Sequence, residues 1–269
     1  MPPRRARLDA ELVRRGLARS RDHASQLIAE GRVTVRGTVA GKVATAVESD
    51  APVVVRDDVD DPNWASRGAH KLIGALDAFD IGVEGKRCLD AGASTGGFTD
   101  VLLRRGATQV VAADVGRGLL VWRLQTDDRV LVRDKTNVRA LTQDAIDGPV
   151  DLVVADLSFI SLGLVLPALL SCTNPDADLL PMVKPQFEVG KERLGTGGVV
   201  RDPGLRAEAV LGVLRAAGGM GLRAHGVAAS PLPGPSGNVE YFAWLRRGEP
   251  LAESEAAALV ETAVQEGPQ

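Results

Sequence analysis

Cys88-Leu-Asp-Ala-Gly-Ala-Ser-Thr-Gly-Gly-Phe-Thr-Asp100 reads as a strand, a tight turn and the opening of a helix. Arg87 to Leu89 is short and apolar enough for a buried strand, and it runs into Asp90. Gly92, Ala93, Ser94, Thr95, Gly96 and Gly97 follow. Such small residues let the backbone reverse sharply and let a ligand approach it closely. Phe98, Val101, Leu102 and Leu103 then supply an apolar helical face. The helix N-terminus behind the turn presents N–H groups that have no partner within the helix. A second strand, Gln109 to Asp114, ends in another carboxylate. Asp114 lies about 20 residues past the turn, where such folds place an acid on a ribose hydroxyl. A dinucleotide fingerprint needs G-x-G-x-x-G, and its second glycine position is Ser94 here. An acid closing the first strand suits a cationic cofactor, S-adenosylmethionine (SAM), better than a pyrophosphate-bearing one.

The rest of the second half repeats the alternation. Val130 to Val132 is a short strand, and Val150 to Ala155 is a nearly continuous apolar run, hence a buried parallel strand ending at Asp156. A helix is predicted over 162–170 and a strand over 178–183 that ends at Lys184. Pro185 keeps Lys184 extended, so its side chain projects from the carboxyl edge of the sheet. Residues 190–199 form a Gly-rich loop carrying Lys191 and Arg193, read as a substrate flap. A helix over 205–217, a strand over 222–229 and a rigid Pro/Gly-rich loop, Ser230 to Asn238, lead to a last strand, Val239 to Leu245. If that strand is antiparallel, Glu240 at its start reaches the same rim. An acidic helix over 253–264 closes the chain. Strands alternating with helices imply a right-handed, doubly wound parallel sheet that binds ligands at the carboxyl ends of its strands. Asp90, Asp114, Asp156 and Lys184 all fall there, more charge than strand capping requires. Lys71 lies early in a helix whose face is Leu72, Leu76 and Phe79, where a cation opposes the helix dipole. A lysine becomes a base when desolvation or a neighbouring cation disfavours its charged form. Lys71 near Lys184 supplies such a neighbour, with Asp156 and Glu240 holding the two amines.

Length and composition bound the rest. A chain of 269 residues that is 45% hydrophobic builds one or two domains with a real core, and 3% aromatics leave few stacking surfaces. Cys88 and Cys172 are far apart and apolar-flanked, which marks reduced core residues of a cytoplasmic protein. With only His23, His70 and His225 beside them, no metal cluster is expected. No apolar run approaches 18 residues and no signal peptide is visible, so no membrane span is expected. The net charge of −3 conceals an asymmetry: residues 1–42 hold ten basic and four acidic residues, net +6, leaving −9 for the remainder. A basic module joined to an acidic domain follows. Leu8, Leu12 and Val13 form a short helix stopped near Gly16; Ser20 caps a second, with Ala24, Leu27 and Ile28 on one side and Gly31 at its end. Val33 to Val35, the Arg36-Gly37 turn, Val39, and Val53 to Val55 form a small hairpin unit. Arg56 to Pro62 is an acidic linker. The expected organisation is a module over 1–60, a linker over 61–66 and a larger domain over 67–269.

Two resemblances attach to these residues. Leu8-Asp9, Leu12-Val13, Gly16-Leu17-Ala18, Ser20-Arg21, Leu27-Ile28, Gly31 and Val33 to Val35 resemble the S-four-type RNA-binding domain of a ribosomal protein, pseudouridine synthases and tyrosyl-tRNA synthetases. That likeness implies phosphate contacts from Arg5, Arg19, Arg21 and Lys42, with Arg4 and Arg7 beside them. Lys71, Asp156, Lys184 and Glu240 are similar to the Lys-Asp-Lys-Glu tetrad of FtsJ-type RNA 2′-O-methyltransferases. Five blocks, Ser66 to Lys71, Asp90 to Gly97, Ala155 to Ile160, Val183 to Glu188 and Pro233 to Glu240, resemble the TlyA family over nearly the whole chain. The fold implied is a Rossmann-like SAM-dependent methyltransferase domain behind a small α+β RNA-binding domain. The activity implied is methylation of cytidine 2′-hydroxyls in the RNA of both ribosomal subunits, with a link to capreomycin-type antibiotic susceptibility; the family has also been called haemolysin.

The resemblance implies that SAM is held by Asp90, Gly92, Ser94, Gly96, Gly97, Asp114, Val115, Asn137 near the adenine, Asp156 and Phe159. Substrate phosphates fall to Arg67, Lys135, Arg139 and Lys191. Lys184 is the expected base and a monomer the expected state. Ser94 departs from the glycine that many SAM enzymes carry. Three rivals stand beside this reading. A non-catalytic assembly factor leaves the tetrad idle. A pore-forming haemolysin lacks an apolar span or a cationic amphipathic helix. A small-molecule methyltransferase leaves the basic module without a purpose.

Overall fold

The computed structural model describes residues 5–18, 21–29, 31–55, 63–234 and 236–268, with the backbone alone described at 22, 26, 191 and 196. The chain divides into two units, Met1–Asn63 and Trp64–Gln269. Arg4, Arg19, the Ser20 cap and the acidic linker over 56–62 lie outside the described residues.

In the first unit, β1 (Arg5–Arg7), α1 (Leu8–Arg14), α2 (Arg21–Ala29), β2 (Val33–Val35), β3 (Thr38–Val39), β4 (Ala46–Glu48) and β5 (Val53–Val55) follow in order. β2 pairs with both β3 and β5, while β1 pairs antiparallel with β4. Leu8 and Leu12 of α1 and Ala24, Leu27 and Ile28 of α2 close over Val33 and Val47. The β1–β4 pair was not anticipated, because strands of three residues carry no readable period.

The second unit contains α3 (Gly68–Ala78), β6 (Arg87–Ala91), α4 (Gly97–Arg104), β7 (Gln109–Ala113), α5 (Trp122–Gln125), β8 (Val130–Arg133), β9 (Val150–Ala155), α6 (Leu166–Ser171), β10 (Thr173–Val183), α7 (Pro185–Glu188), α8 (Pro203–Gly218), β11 (Leu222–Ala229), β12 (Tyr241–Arg247) and α9 (Glu253–Glu266). Its sheet runs β11-β12-β10-β9-β6-β7-β8. β8, β7, β6, β9 and β10 are parallel, and β12 is antiparallel to both its neighbours. Successive strand residues point to opposite faces, and here they feed separate cores. Leu89, Val111 and Val153 join α6, α8 and α9 on one side. Cys88, Val110, Leu152 and Val154 join α3 and α4 on the other.

Two expectations need correction. Residues 162–170 form a 3-10 turn, Leu162–Leu164, and then α6, rather than one helix. Pro167 stands at the start of α6, where its missing N–H costs nothing. β10 begins at Thr173 rather than 178, with a register shift between Thr173 and Asp178 that hides the strand's first residues from a simple alternation.

Candidate active site

The strand order reverses on either side of β6, with β7 on one flank and β9 on the other. That switch point is where an open α/β sheet leaves a crevice. The Asp156 N–H donates to the Ala91 carbonyl at 3.0 Å and the Gly92 N–H to the Ala113 carbonyl at 2.8 Å, which draws the ends of β6, β7 and β9 together. A cleft of about 600 Å³ opens there. Lys71, Asp90, Gly92, Ser94, Gly97 and Asp156 line it, as does Arg67. Gly96, Asp114, Val115, Asn137 and Phe159 are not among its lining residues, nor are Lys184 and Glu240.

The turn is shaped by its glycines. Gly92 has φ +87°, and a Cβ there would lie 2.6 Å from the backbone oxygen of Asp156. Gly92→Ala is therefore expected to cost roughly 2–4 kcal/mol, because the backbone conformation and the clash with main chain both oppose it. Thermal melting is the measurement, and an unchanged midpoint would show that the turn relaxes freely. Ser94 also sits at positive φ, +49°, the conformation that favours the glycine many such turns carry. Its N–H donates to Asp114 Oδ2 at 2.9 Å, while the other oxygen accepts the Gly116 N–H at 2.7 Å. Asp114 thus braces the turn from the end of β7.

Asp90 is wholly buried. Thr99 Oγ1 donates to its Oδ2 at 2.7 Å, and Oδ1 is buried without a partner among the described residues. Burial pushes its carboxyl up to about 7, with Asp156 and Asp114 adding to the rise against the Thr99 hydrogen bonds. A buried acceptor with no donor, on the wall of a cleft, is the feature a cationic ligand would satisfy.

The four expected catalytic residues form two ion pairs. Lys184 Nζ lies 2.5 Å from Asp156 Oδ1 and donates to Ser158 Oγ at 3.2 Å. Lys71 Nζ donates to Glu240 Oε2 at 2.6 Å, and Glu240 Oε1 is buried without a partner among the described residues. Each lysine is held by its own carboxylate. Lys184 is extended, φ −113° and ψ 101°, directly before Pro185. Glu188, at the far end of α7, accepts from Ser161 Oγ at 2.6 Å and from the Leu162 N–H at 2.8 Å. That bridge fixes the loop after β9 against the loop after β10, and with them the Asp156–Lys184 pair.

The other expected residues scatter. Asn137 is exposed and caps a 3-10 turn, its Oδ1 accepting the Arg139 N–H at 3.1 Å. Lys135 and Arg139 are exposed, as is Val115. Phe159 is 91% exposed, at φ +63°, with its ring 5.2 Å from that of Phe187. In the first unit Lys42 is exposed in a turn. Arg5 pairs with Glu48 at 3.0 Å, and Arg7 and Arg21 both pair with Asp9. Sequence reading missed Ser66, Thr95 and the loop residues Leu232, Pro233, Gly234 and Gly237, which also line the cleft. The proline and glycine spacing of that loop marked it as rigid, and rigidity beside a rim acid was the signal. Trp64, assigned to the linker, carries Arg104 over its ring at 4.3 Å, and the Ala65 N–H donates to buried Asp100 at 2.9 Å.

Fold and cleft together define a methyltransferase of the Rossmann-like class, and the FtsJ-like methyltransferase family model matches residues 64–247. An S4 domain model matches residues 6–53. The 16S/23S rRNA (cytidine-2'-O)-methyltransferase TlyA of Mycobacterium tuberculosis is 61% identical over 267 residues, 98% of this chain and 99% of that protein. The 23S rRNA (cytidine-2'-O)-methyltransferase TlyA of Campylobacter jejuni is 34% identical over 66% of this chain and 69% of its own length. Among solved structures, a candidate hemolysin from Streptococcus thermophilus superposes with a TM-score of 0.76 at 33% identity, covering 99% of this chain and 98% of that one. The chain belongs to the TlyA family of methyltransferases. No helix among the described residues is long and apolar enough to cross a membrane.

Proposed function

We propose that this chain transfers a methyl group from SAM to the 2′-hydroxyl of cytidines in the RNA of both ribosomal subunits. The observation that carries the reading is the Asp156–Lys184 pair beside a cleft lined by Asp156 and by the buried Asp90, one of whose carboxylate oxygens has no partner among the described residues. The residues fit the cofactor. Asp90 would offer its free oxygen to a cationic amino group, Gly92 and Gly97 line the cleft without side chains, and Asp114, which braces the turn, would be the acid for the ribose. When bound, SAM supplies a methyl group activated on a sulfonium, which departs as a neutral thioether.

Lys184 Nζ, in its uncharged form, takes the proton of the ribose hydroxyl, and Asp156 stabilises the ammonium that results. Ser158 holds the amine in place. Lys71, locked to Glu240, is held fixed in the cleft lining. RNA phosphates are assigned to Arg67 in the cleft lining and to Lys135, Arg139 and Lys191 of the second unit. Arg4, Arg5, Arg7, Arg19, Arg21 and Lys42 meet them from the first unit. In this reading residues 1–60 bind RNA, 61–66 connect, and 67–269 catalyse, as a monomer in the cytoplasm, where ribosomes are. The full-length match to a relative named for both 16S and 23S RNA supports the double target. Loss of the methyl groups is proposed to lower susceptibility to capreomycin-type antibiotics.

The test is transfer of label from SAM to purified small and large subunits that lack the modification. Alkali-resistant label is expected in the RNA of both subunits. Label in neither, with SAM still bound, would refute the assignment; label in one alone would remove the double target.

A further inference from the structure

Six arginines of the first unit are gathered in pairs, each pair clasped by one carboxylate. Glu48 holds Arg5 and Arg36, Glu11 holds Arg14 and Arg15, and Asp9 holds Arg7 and Arg21. The pairs differ in kind. Arg15 is packed and spends its guanidinium on the carbonyls of Glu48, Ser49 and Ala51, so it ties the unit together. Arg7 and Arg21 stand in solvent, with side chains 52% and 59% exposed, while the Asp9 side chain between them is 3% exposed.

Asp9 receives the Nε–Nη2 edge of both guanidiniums. Arg7 Nε and Nη2 donate to Oδ1 and Oδ2 at 3.1 and 3.2 Å, and Arg21 Nε and Nη2 donate to Oδ2 at 3.1 and 2.7 Å. Its own rotamer is set by the Ala10 N–H, which donates to Oδ1 at 2.9 Å in the first turn of α1. Resting on the RNA-binding reading of this unit, we propose that Asp9 is a positioning residue that presents Arg7 and Arg21 as a preset pair for neighbouring phosphates of ribosomal RNA.

A free arginine loses much rotamer freedom when it grips a phosphate, and one already held loses less. The trio keeps a net charge of +1, so the acid does not abolish the attraction. The hydrogen bond from Arg7 leads the interactions that hold the Asp9 carboxyl far below the usual carboxylate range, so it stays charged. Charge counting and positioning then predict opposite signs. On charge alone, removing an acid from an RNA-binding face strengthens binding and steepens its salt dependence. On positioning, it weakens binding.

The experiment measures affinity of the full-length protein for purified large subunits across a salt series. Asp9→Asn is expected to weaken binding roughly tenfold and to lower the melting temperature of the first unit while SAM affinity holds. Arg7→Gln/Arg21→Gln is expected to weaken it at least as much, and adding Asp9→Asn to that double variant to cost nothing further. Arg7→Lys/Arg21→Lys keeps both charges but loses the two-pronged grip, so it should lose affinity with little change in salt slope; this arm does not depend on Asp9→Asn folding. Asp9→Asn binding as tightly as wild type or tighter, with Arg7→Gln/Arg21→Gln weakened, would overturn the positioning role alone. An equal cost of Asp9→Asn in both backgrounds would make Asp9 merely structural. Unchanged binding by Arg7→Gln/Arg21→Gln would instead remove the RNA reading of these arginines, and the proposal with it.

Discussion

Lys184→Ala is expected to lower methyl transfer by roughly 10²- to 10⁴-fold, the range that a positioned general base supplies, with SAM affinity unchanged. The side chain is nearly buried, held by Asp156 and Ser158, and outside the cleft lining. Its loss should therefore spare cofactor binding and remove chemistry. Lys184→Arg sharpens the test. Arginine keeps a cation against Asp156 but cannot give up its proton in a protein. A base role predicts that both variants are inactive; a purely electrostatic role predicts that the arginine variant retains most of its rate. Single-turnover rates at saturating SAM distinguish them, and a Lys184→Ala enzyme turning over at the wild-type rate would end the assignment.

Asp90→Asn is expected to stabilise the fold while it weakens the cofactor site. A buried carboxyl raised from 3.8 to about 7 folds most easily when protonated. Its contribution is thus fully favourable below pH 3.8 and is lost as pH rises to about 7. The loss above that pH is on the order of 4 kcal/mol as an upper bound. Asparagine removes the pH-dependent part but places an N–H₂ where only one acceptor oxygen was tolerated, so a gain of about 1–2 kcal/mol, roughly 5 °C, is expected at pH 8. At pH 5 the gain should shrink. SAM affinity should fall at pH 8, and the wild-type affinity should itself weaken as pH drops through 7. A melting difference that is the same at both pH values would show that Asp90 is not the titrating group.

Much of the second unit was legible because its signals are local. The apolar run at Val150–Ala155 needs both faces of a sheet, and Gly92, Gly96 and Gly97 need a turn. Pro185 needs an extended Lys184. Those three facts place Asp90, Asp156 and Lys184 on one rim without any long-range knowledge. What was not legible depends on partners distant in the chain. Arg5 and Glu48 are 43 residues apart, so a count of basic residues in 1–42 overstated the free charge of the first unit. The pairing of Lys71 with Glu240 spans 169 residues; an antiparallel last strand brought Glu240 to the rim in the sequence reading, but which acid holds which lysine was not legible there. Phe159 belonged to a motif block, but its exposure depends on a positive φ that no side-chain pattern announces. The loop over 230–238 read as a rigid segment leading to a rim acid, but its prolines and glycines do not say which of its residues face the cleft.

The division of the strand residues between two cores also partitions the thiols. Cys88 lies in the layer beneath α3 and α4, and Cys172 in the layer beneath α6, α8 and α9. Both are fully buried, and burial raises both thiols, Cys88 to about 12. Neither is chemically reachable until its own layer opens. The protein therefore carries one intrinsic label for each side of its sheet, and the order in which the two cysteines yield to a thiol reagent reads out which layer is released first.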